Sequence, residues 1–313
     1  MDLAPIVLFV YNRPWHTEQT LNALKQNVLS DKSTLYIFCD GPKIGASEEE
    51  VKKVNTVREL VKAKQWCKEV HIIERKNNLG LANSVIKGVT EIIQKYGQVI
   101  VLEDDIITGT HFLEFMNDAL KTYKNSDKVF GISGFKYPSA KTIERHTYFL
   151  PIASSWSYAT WLNRWDKVNF DSEDLLKIVD ELNLKNKMNF GNYPFYQMLQ
   201  NQVSGKVDSW AIRFYASMFS NNAMFLFPNK PLVKNIGFDN SGTHCSEDAF
   251  FGVNDLSHDK IKVISQELSL NAKIVDLVRQ SFENQRVQKN DNHLKKFNLV
   301  KKGKQILKKG FGK

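Results

Sequence analysis

Residues 98–107 read QVIVLEDDII, and this stretch decides how the rest of the chain is interpreted. An apolar run leads directly into three consecutive carboxylates, Glu103, Asp104 and Asp105, and apolar residues then resume. The pattern indicates a buried strand with acids at its exit. Adjacent acids at the edge of a core repel one another and lose hydration, so this stretch needs a positive partner.

Three further strand-like stretches precede this one, and each is followed by a helical pattern. The strands read APIVLFVY, TLYIFCDG and EVHIIE, and SEEE at residues 47–50 is a capping box that opens the second helix. Val51, Val54, Val57 and Val61 supply the apolar face behind that box. The β-α-β-α-β-α-β order predicts an α/β fold with a mainly parallel sheet flanked by helices.

Polar residues stand at the predicted carboxyl ends of these strands. Arg13 follows the first strand, Asp40 the second, and the three acids the fourth. Taken singly, Arg13 is typical of a solvated loop and Asp40, before Gly-Pro, of a turn. Open parallel sheets bind ligands beyond the carboxyl ends of their strands, so the joint placement favours a functional rim.

Carboxylate oxygens select hard cations, which predicts Mn²⁺ or Mg²⁺ carrying a diphosphate at this rim. Without the cation the acids would repel the phosphates. The sequence has no GxxxxGK[ST] loop and no GxGxxG after the first strand, which argues against a Walker site and the usual dinucleotide-binding site.

Several segments together resemble a nucleotide-sugar glycosyltransferase of the GT-A (Rossmann-like) fold, over about residues 5–255. The segments are VLFVYNRPWHTEQTLNAL, the acid-Asp-Asp form of the DxD motif in LEDDI, and DSWAIRFYASMF followed by NIGFDNSGTH. The last two are similar to the later half of N-acetylglucosaminyltransferase I and related bacterial sugar transferases. The resemblance implies an inverting transfer from a nucleoside-diphosphate sugar, with a UDP-sugar favoured, to a hydroxyl of a glycan or lipid-linked glycan acceptor in bacterial surface polysaccharide synthesis.

The resemblance also implies roles for the residues of the rim. Asp40 would bind the nucleobase and Arg13 would help to hold it. Glu103 would contact the ribose, Asp104 the sugar or the ribose, and Asp105 would bind the metal.

In the second half of the chain, the resemblance makes Asp208 the catalytic base. From the residues alone, Asp208 in VDSW stands where a helix would begin, so a helix N-cap is equally open. The segment Phe238 to Glu247 would form a mobile loop over the donor, with Thr243 and His244 contacting it. A solvated position for His244 stays open.

The middle of the chain is rich in aromatic residues, which stack well on the C–H faces of sugars. Trp161 and Trp165 stand four residues apart, a spacing more typical of core packing. For Trp156 an acceptor-binding role and a core role are equally open.

The net charge of +9 belongs to the end of the chain. Residues 286–313 hold ten basic residues and one acid, whereas residues 1–285 hold 33 basic and 33 acidic residues. A neutral body argues against nucleic-acid binding. Lysines interleaved with Leu294, Phe297, Val300, Leu307 and Phe311 predict an amphipathic helix on an anionic membrane surface, although a disordered solvated end is equally open.

We therefore expect a GT-A catalytic domain over residues 1–270, with a nucleotide-binding half at 1–105 and an acceptor-binding half at 106–270, followed by a basic amphipathic C-terminal helical tail at 271–313. Three unpaired cysteines and the lack of a signal-like or membrane-spanning segment lead us to expect a cytoplasmic protein, or one peripheral on the inner face of the cytoplasmic membrane.

Two other functions compete with this one. A sugar-nucleotide pyrophosphorylase would use a glycine-rich phosphate loop after the first strand, where this chain reads YNRPWHT without glycine. A non-enzymatic protein that binds membranes or polyanions would rely on the basic tail alone.

Overall fold

A computed structural model gives the fold and describes residues 3–139, 141–239 and 255–283. Within these ranges the strands are β1 Ile6–Val10, β2 Thr34–Cys39, β3 Glu69–Glu74, β4 Gln98–Glu103, β5 Ile106–Thr108, β6 Val129–Ser133, β7 Thr147–Leu150, β8 Tyr158–Trp161, β9 Met224–Pro228 and β10 Val233–Asn235. The helices are α1 Pro14–Lys25, α2 Glu48–Lys62, α3 Leu81–Tyr96, α4 Phe112–Tyr123, α5 Leu162–Trp165, α6 Ser172–Glu181, α7 Lys185–Met188, α8 Phe195–Val203 and α9 Trp210–Ser220. Residues 272–283 are also helical.

Eight strands of the described chain form one sheet in the order β3-β2-β1-β4-β8-β6-β9-β7. The first four pair in parallel, as the β-α-β order predicts. β8 runs antiparallel between β4 and β6, β9 is parallel to β6, and β7 closes the edge antiparallel to β9. The predicted α/β class with a mainly parallel sheet flanked by helices is confirmed.

The local signals in the first third form the elements that they predict. Ser47 caps α2, and its side chain accepts a hydrogen bond from the amide of Glu50. Val57 and Val61 of α2 are buried in the core, and Val54 is buried as well, whereas Val51 of the predicted apolar face is only partly buried. β1 is buried at every position, which is why it reads as an unbroken apolar run rather than an alternating one.

The second half of the chain extends the same sheet. Trp161 and Trp165 are buried in the core, as their spacing predicts. A second, two-stranded ribbon pairs β5 with β10 and brings residues after Asn235 back to the end of β4. No helix within the described ranges is long and apolar enough to cross a membrane. The division at residue 105 and the basic tail at 271–313 stay predictions, and residues 284–313 lie outside the described chain.

Candidate donor-binding site

The three acids and Arg13 meet because β1 and β4 are parallel neighbours. Phe9 of β1 pairs with Glu103 of β4, so the residues that follow each strand emerge at the same edge of the sheet. Asp104 and Asp105 lie between β4 and β5, and Arg13 lies directly before α1. The structure therefore brings the predicted rim together around these two strands.

Arg13 is the positive partner that the acids require. Its Nη1 lies 2.8 Å from Oδ2 of Asp105 and 3.3 Å from Oδ1 of Asp104. These side chains are almost buried, and charge-assisted hydrogen bonds are strong in such surroundings. Burial acts to lower the pKa of Arg13, but the charges of Asp104 and Asp105 outweigh it and raise that pKa. The guanidinium therefore stays charged.

One arginine does not neutralise three acids. The excess negative charge contributes to raised pKa values of Glu103 and Asp104. Burial, followed by the charges of Asp105 and Asp104, raises the pKa of Glu103 to about 8. Burial and the charge of Asp105 raise the pKa of Asp104 to about 7. Oε1 of Glu103 also accepts a hydrogen bond of 3.4 Å from Nε1 of Trp210. The cluster would gain from further positive charge.

One carboxylate oxygen of Asp105 could serve as a metal ligand. Its Oδ1 atom is buried and accepts no hydrogen bond from any residue in the described ranges, whereas Oδ2 is held by Arg13. A buried carboxylate oxygen without a donor is costly, and a hard cation would satisfy it. The described residues contain no group of three or more acidic, histidine or cysteine side chains arranged to hold a metal by themselves. A cation bound here would need most of its ligands from the substrate and water.

A segment from the second half of the chain closes over this cluster. The amide of Ile236, just after β10, donates to the carbonyl oxygen of Asp105 at 2.9 Å. A Cβ atom on Gly237 would overlap Oδ2 of Asp105 and lie 2.8 Å from Nη2 of Arg13. Glycine is therefore required at position 237 for this close approach of the backbone to the ion pair.

Asp239, which the sequence analysis included only as part of the predicted loop Phe238 to Glu247, adds a fourth carboxylate. Its Oδ2 lies 3.0 Å from Nε2 of His16 and its Oδ1 lies 3.9 Å from Nη2 of Arg13. Burial and the charge of Arg13 lower the pKa of His16. His16, Gly237 and Asp239 lie in segments that carry the family resemblance, but no role was predicted for them individually, because the two segments are far apart in the sequence. The only local signal was a glycine and an acid together just after a short strand.

Asp40 occupies a structural position at the neighbouring strand end. Its carboxylate accepts hydrogen bonds from the amides of Gly41, Leu79 and Gly80 and from the hydroxyl of Ser84. It thereby ties the end of β2 to the start of α3, as the turn interpretation implies. Its role at the nucleobase stays a prediction.

The N-cap alternative for Asp208 is wrong. The cap of α9 is Ser209, whose hydroxyl accepts a hydrogen bond from the amide of Ile212. The Asp208 carboxylate is exposed and lies 2.9 Å from Nη2 of Arg213. It stands two residues before Trp210, which contacts Glu103, so the start of α9 lies beside the acids. Its role as the base stays a prediction.

The remaining predicted site residues fall in two places. Trp156 is partly buried, and its ring packs edge-on against Phe135 and Phe238, with ring centroids 4.6 and 5.2 Å away. Thr243 and His244 lie in residues 240–254, outside the described chain, as does most of the predicted loop Phe238 to Glu247.

No protein-family model matches the sequence, and a search of curated proteins found no match. Among solved structures, a UDP-glucose pyrophosphorylase complexed with UDP-glucose is similar with a TM-score of 0.35 and 10% identity, covering 72% of this chain and 90% of that chain. Mouse xyloside xylosyltransferase 1, in its apo form, is similar with a TM-score of 0.36 and 11% identity, covering 71% and 83%. Similarity at this level does not assign a function to this chain.

Proposed function

We propose that the protein is a metal-dependent inverting glycosyltransferase that uses a nucleoside-diphosphate sugar, with a UDP-sugar favoured. The observation that carries the proposal is the acid cluster at the ends of β1 and β4, in which a buried oxygen of Asp105 has no hydrogen-bond donor among the described residues. Its position beyond the carboxyl ends of parallel strands is where such sheets bind nucleotides. The resemblance of the LEDDI, DSWAIRFYASMF and NIGFDNSGTH segments to GT-A enzymes supports the same proposal.

In this proposal Asp105 would hold Mn²⁺ or Mg²⁺, which would supply positive charge for the leaving diphosphate. Arg13 holds the other oxygen of Asp105 and would help to hold the nucleobase. Asp40 contacts the nucleobase, and Glu103 and Asp104 contact the ribose and the sugar. Thr243 and His244 complete the donor site.

Asp208 is the proposed catalytic base. Its carboxylate accepts the proton of the acceptor hydroxyl as that oxygen attacks the anomeric carbon. The bond between the anomeric carbon and the diphosphate oxygen breaks on the opposite face, and the configuration inverts. The exposed position of Asp208 leaves it open to an incoming acceptor, and its contact with Arg213 orients the carboxylate. Trp156 is the proposed contact for the acceptor, a glycan of a bacterial surface polysaccharide or its lipid-linked precursor.

Thermal unfolding with nucleoside diphosphates tests the proposal. We expect UDP together with Mn²⁺ to raise the melting temperature by several degrees, because a ligand at about 100 times its dissociation constant adds about 2.7 kcal/mol to the free energy of unfolding. UDP alone should have little effect, because the acids repel its phosphates. Mn²⁺ alone should also have little effect, because the described residues hold no group of three metal ligands and the diphosphate would have to supply the rest. An equal shift with inorganic polyphosphate and no metal would instead indicate a polyanion-binding protein.

The basic tail leads to a separate prediction about location. We expect full-length protein to cosediment with anionic vesicles at low salt and to be released as salt is raised, because each basic residue near an anionic surface contributes about 1 kcal/mol. A chain ending at Gln285 should stay in solution and should still transfer sugar to a small soluble acceptor. Equal sedimentation of the two chains would show that residues 286–313 are not the anchor.

A further inference from the structure

An aromatic cavity is lined in part by Trp210, whose indole also contacts Glu103 of the acid cluster. Its accessible volume is about 160 Å³, and nine of its fifteen lining residues are aromatic. Trp156 and Phe135 form one wall, Trp210 another, and Phe282 of the last described helix a third. Engineered apolar cavities of about 150 Å³ stay dry and bind benzene. The cavity therefore has room for an apolar group of that size.

The polar atoms of the walls are largely used within the protein. The hydroxyl of Tyr137 donates to the carbonyl of Ala153, and that of Tyr215 donates to the carbonyl of Met188. The hydroxyl of Ser154 accepts from the amide of Trp156. A sugar ring buried here would leave several of its hydroxyl groups without partners, and each would carry a desolvation cost. The lining suits hydrocarbon better than sugar.

One side chain, that of Trp210, is shared by the cavity and the proposed active site. The ring of Trp210 lines the cavity, while its Nε1 atom donates to Glu103 at 3.4 Å. An occupant of the cavity would therefore lie one indole ring away from the acids. Partly exposed residues such as Trp156, Met198 and Ala211 line it as well, so the cavity reaches solvent.

We infer that this cavity binds an apolar alkyl or aryl group that the acceptor carries. About six carbon atoms of that group would be buried in the cavity. The inference rests on the proposed function, which places the acceptor's sugar beside Asp208 and the acid cluster. It narrows the acceptor to a glycoside or glycolipid whose apolar group is close to the sugar that is modified. The chain supports this choice, because it continues beyond the helix at 272–283 into ten basic residues suited to the anionic head of a lipid.

The test compares n-hexyl and methyl β-D-glucoside, below the micelle concentration and without nucleotide or metal. Binding is followed by the fluorescence of the tryptophans, of which Trp156 and Trp210 line the cavity. We expect the hexyl glycoside to bind at least about tenfold more tightly than the methyl glycoside. Burial of two or three methylene groups is enough to give a difference of that size. Ala211→Leu, which places a larger side chain in the cavity, should lower the affinity for the hexyl glycoside about tenfold. Ala63→Leu, at an exposed site, should leave it unchanged.

Equal affinity for the two glycosides would overturn the inference, as would hexyl binding that Ala211→Leu does not weaken. If the full chain bound neither glycoside, the inference would also be overturned. Such a result would be expected if a segment of the chain itself filled the cavity. The thermal shift with UDP and Mn²⁺ separates the two proposals. A shift without any hexyl preference would reject the cavity inference and keep the transferase. Hexyl binding without a shift would reject the transferase and the acceptor assignment with it, and would leave only a site for apolar groups.

Discussion

Asp105→Ala is expected to abolish metal-dependent nucleotide binding, with the affinity for UDP in the presence of Mn²⁺ falling at least about 100-fold. Changes in the groups that merely support a metal ligand already cost about 10–100-fold, and Asp105 is the proposed ligand itself. The variant removes the buried oxygen that has no hydrogen-bond donor among the described residues. It also releases Arg13 from its 2.8 Å contact, so the guanidinium can turn towards Asp104.

Titration calorimetry of UDP with and without Mn²⁺ measures this effect, and Glu103→Ala is the matched control in the same cluster. Glu103 is a proposed ribose contact rather than a metal ligand. Its loss should weaken UDP binding while keeping the dependence on Mn²⁺. The control also leaves Nε1 of Trp210 without its acceptor, so the melting temperature of the unliganded variant should be recorded. Normal Mn²⁺-dependent affinity in Asp105→Ala would show that the cation is bound elsewhere.

Asp208→Asn is expected to lower turnover by about 10²–10⁴, the usual contribution of a general base. Asparagine keeps the shape of the side chain and can still accept a hydrogen bond from Arg213, but it cannot take a proton from the acceptor. The cap of α9 is provided by Ser209, so the substitution should leave the helix and the melting temperature unchanged. Affinity for UDP with Mn²⁺ should also be unchanged, because Asp208 is not a proposed donor contact.

Single-turnover transfer to a soluble acceptor, alongside donor binding, separates chemistry from binding in this variant. Asp166→Asn, an exposed acid just after α5, serves as the matched control and should transfer sugar at the normal rate. Transfer near the normal rate by Asp208→Asn would mean that another group accepts the proton. Lost UDP binding in the variant would mean that Asp208 belongs to the donor site.

The sequence alone determined the first half of the fold. Strands that are buried on both faces need unbroken apolar runs, and helices on the sheet need an apolar face, so both signals are local and readable. The same reasoning placed Arg13 and the three acids at one edge, because parallel strands end together. The core positions of Trp161 and Trp165 followed from their spacing.

Only the tertiary structure decided how the candidate site is completed. The approach of Gly237 and Asp239 to Arg13 depends on β10 pairing with β5, whose residues lie more than 120 positions away in the chain. The contact of Trp210 with Glu103 likewise joins residues 107 positions apart. The sequence left Asp208 open as the N-cap of α9, whereas the structure has Ser209 in that position. Local propensity does not resolve a difference of one residue at a helix end. Pairing over such distances is set by the packing of the whole sheet, because no short stretch of sequence encodes which distant segment will lie against it.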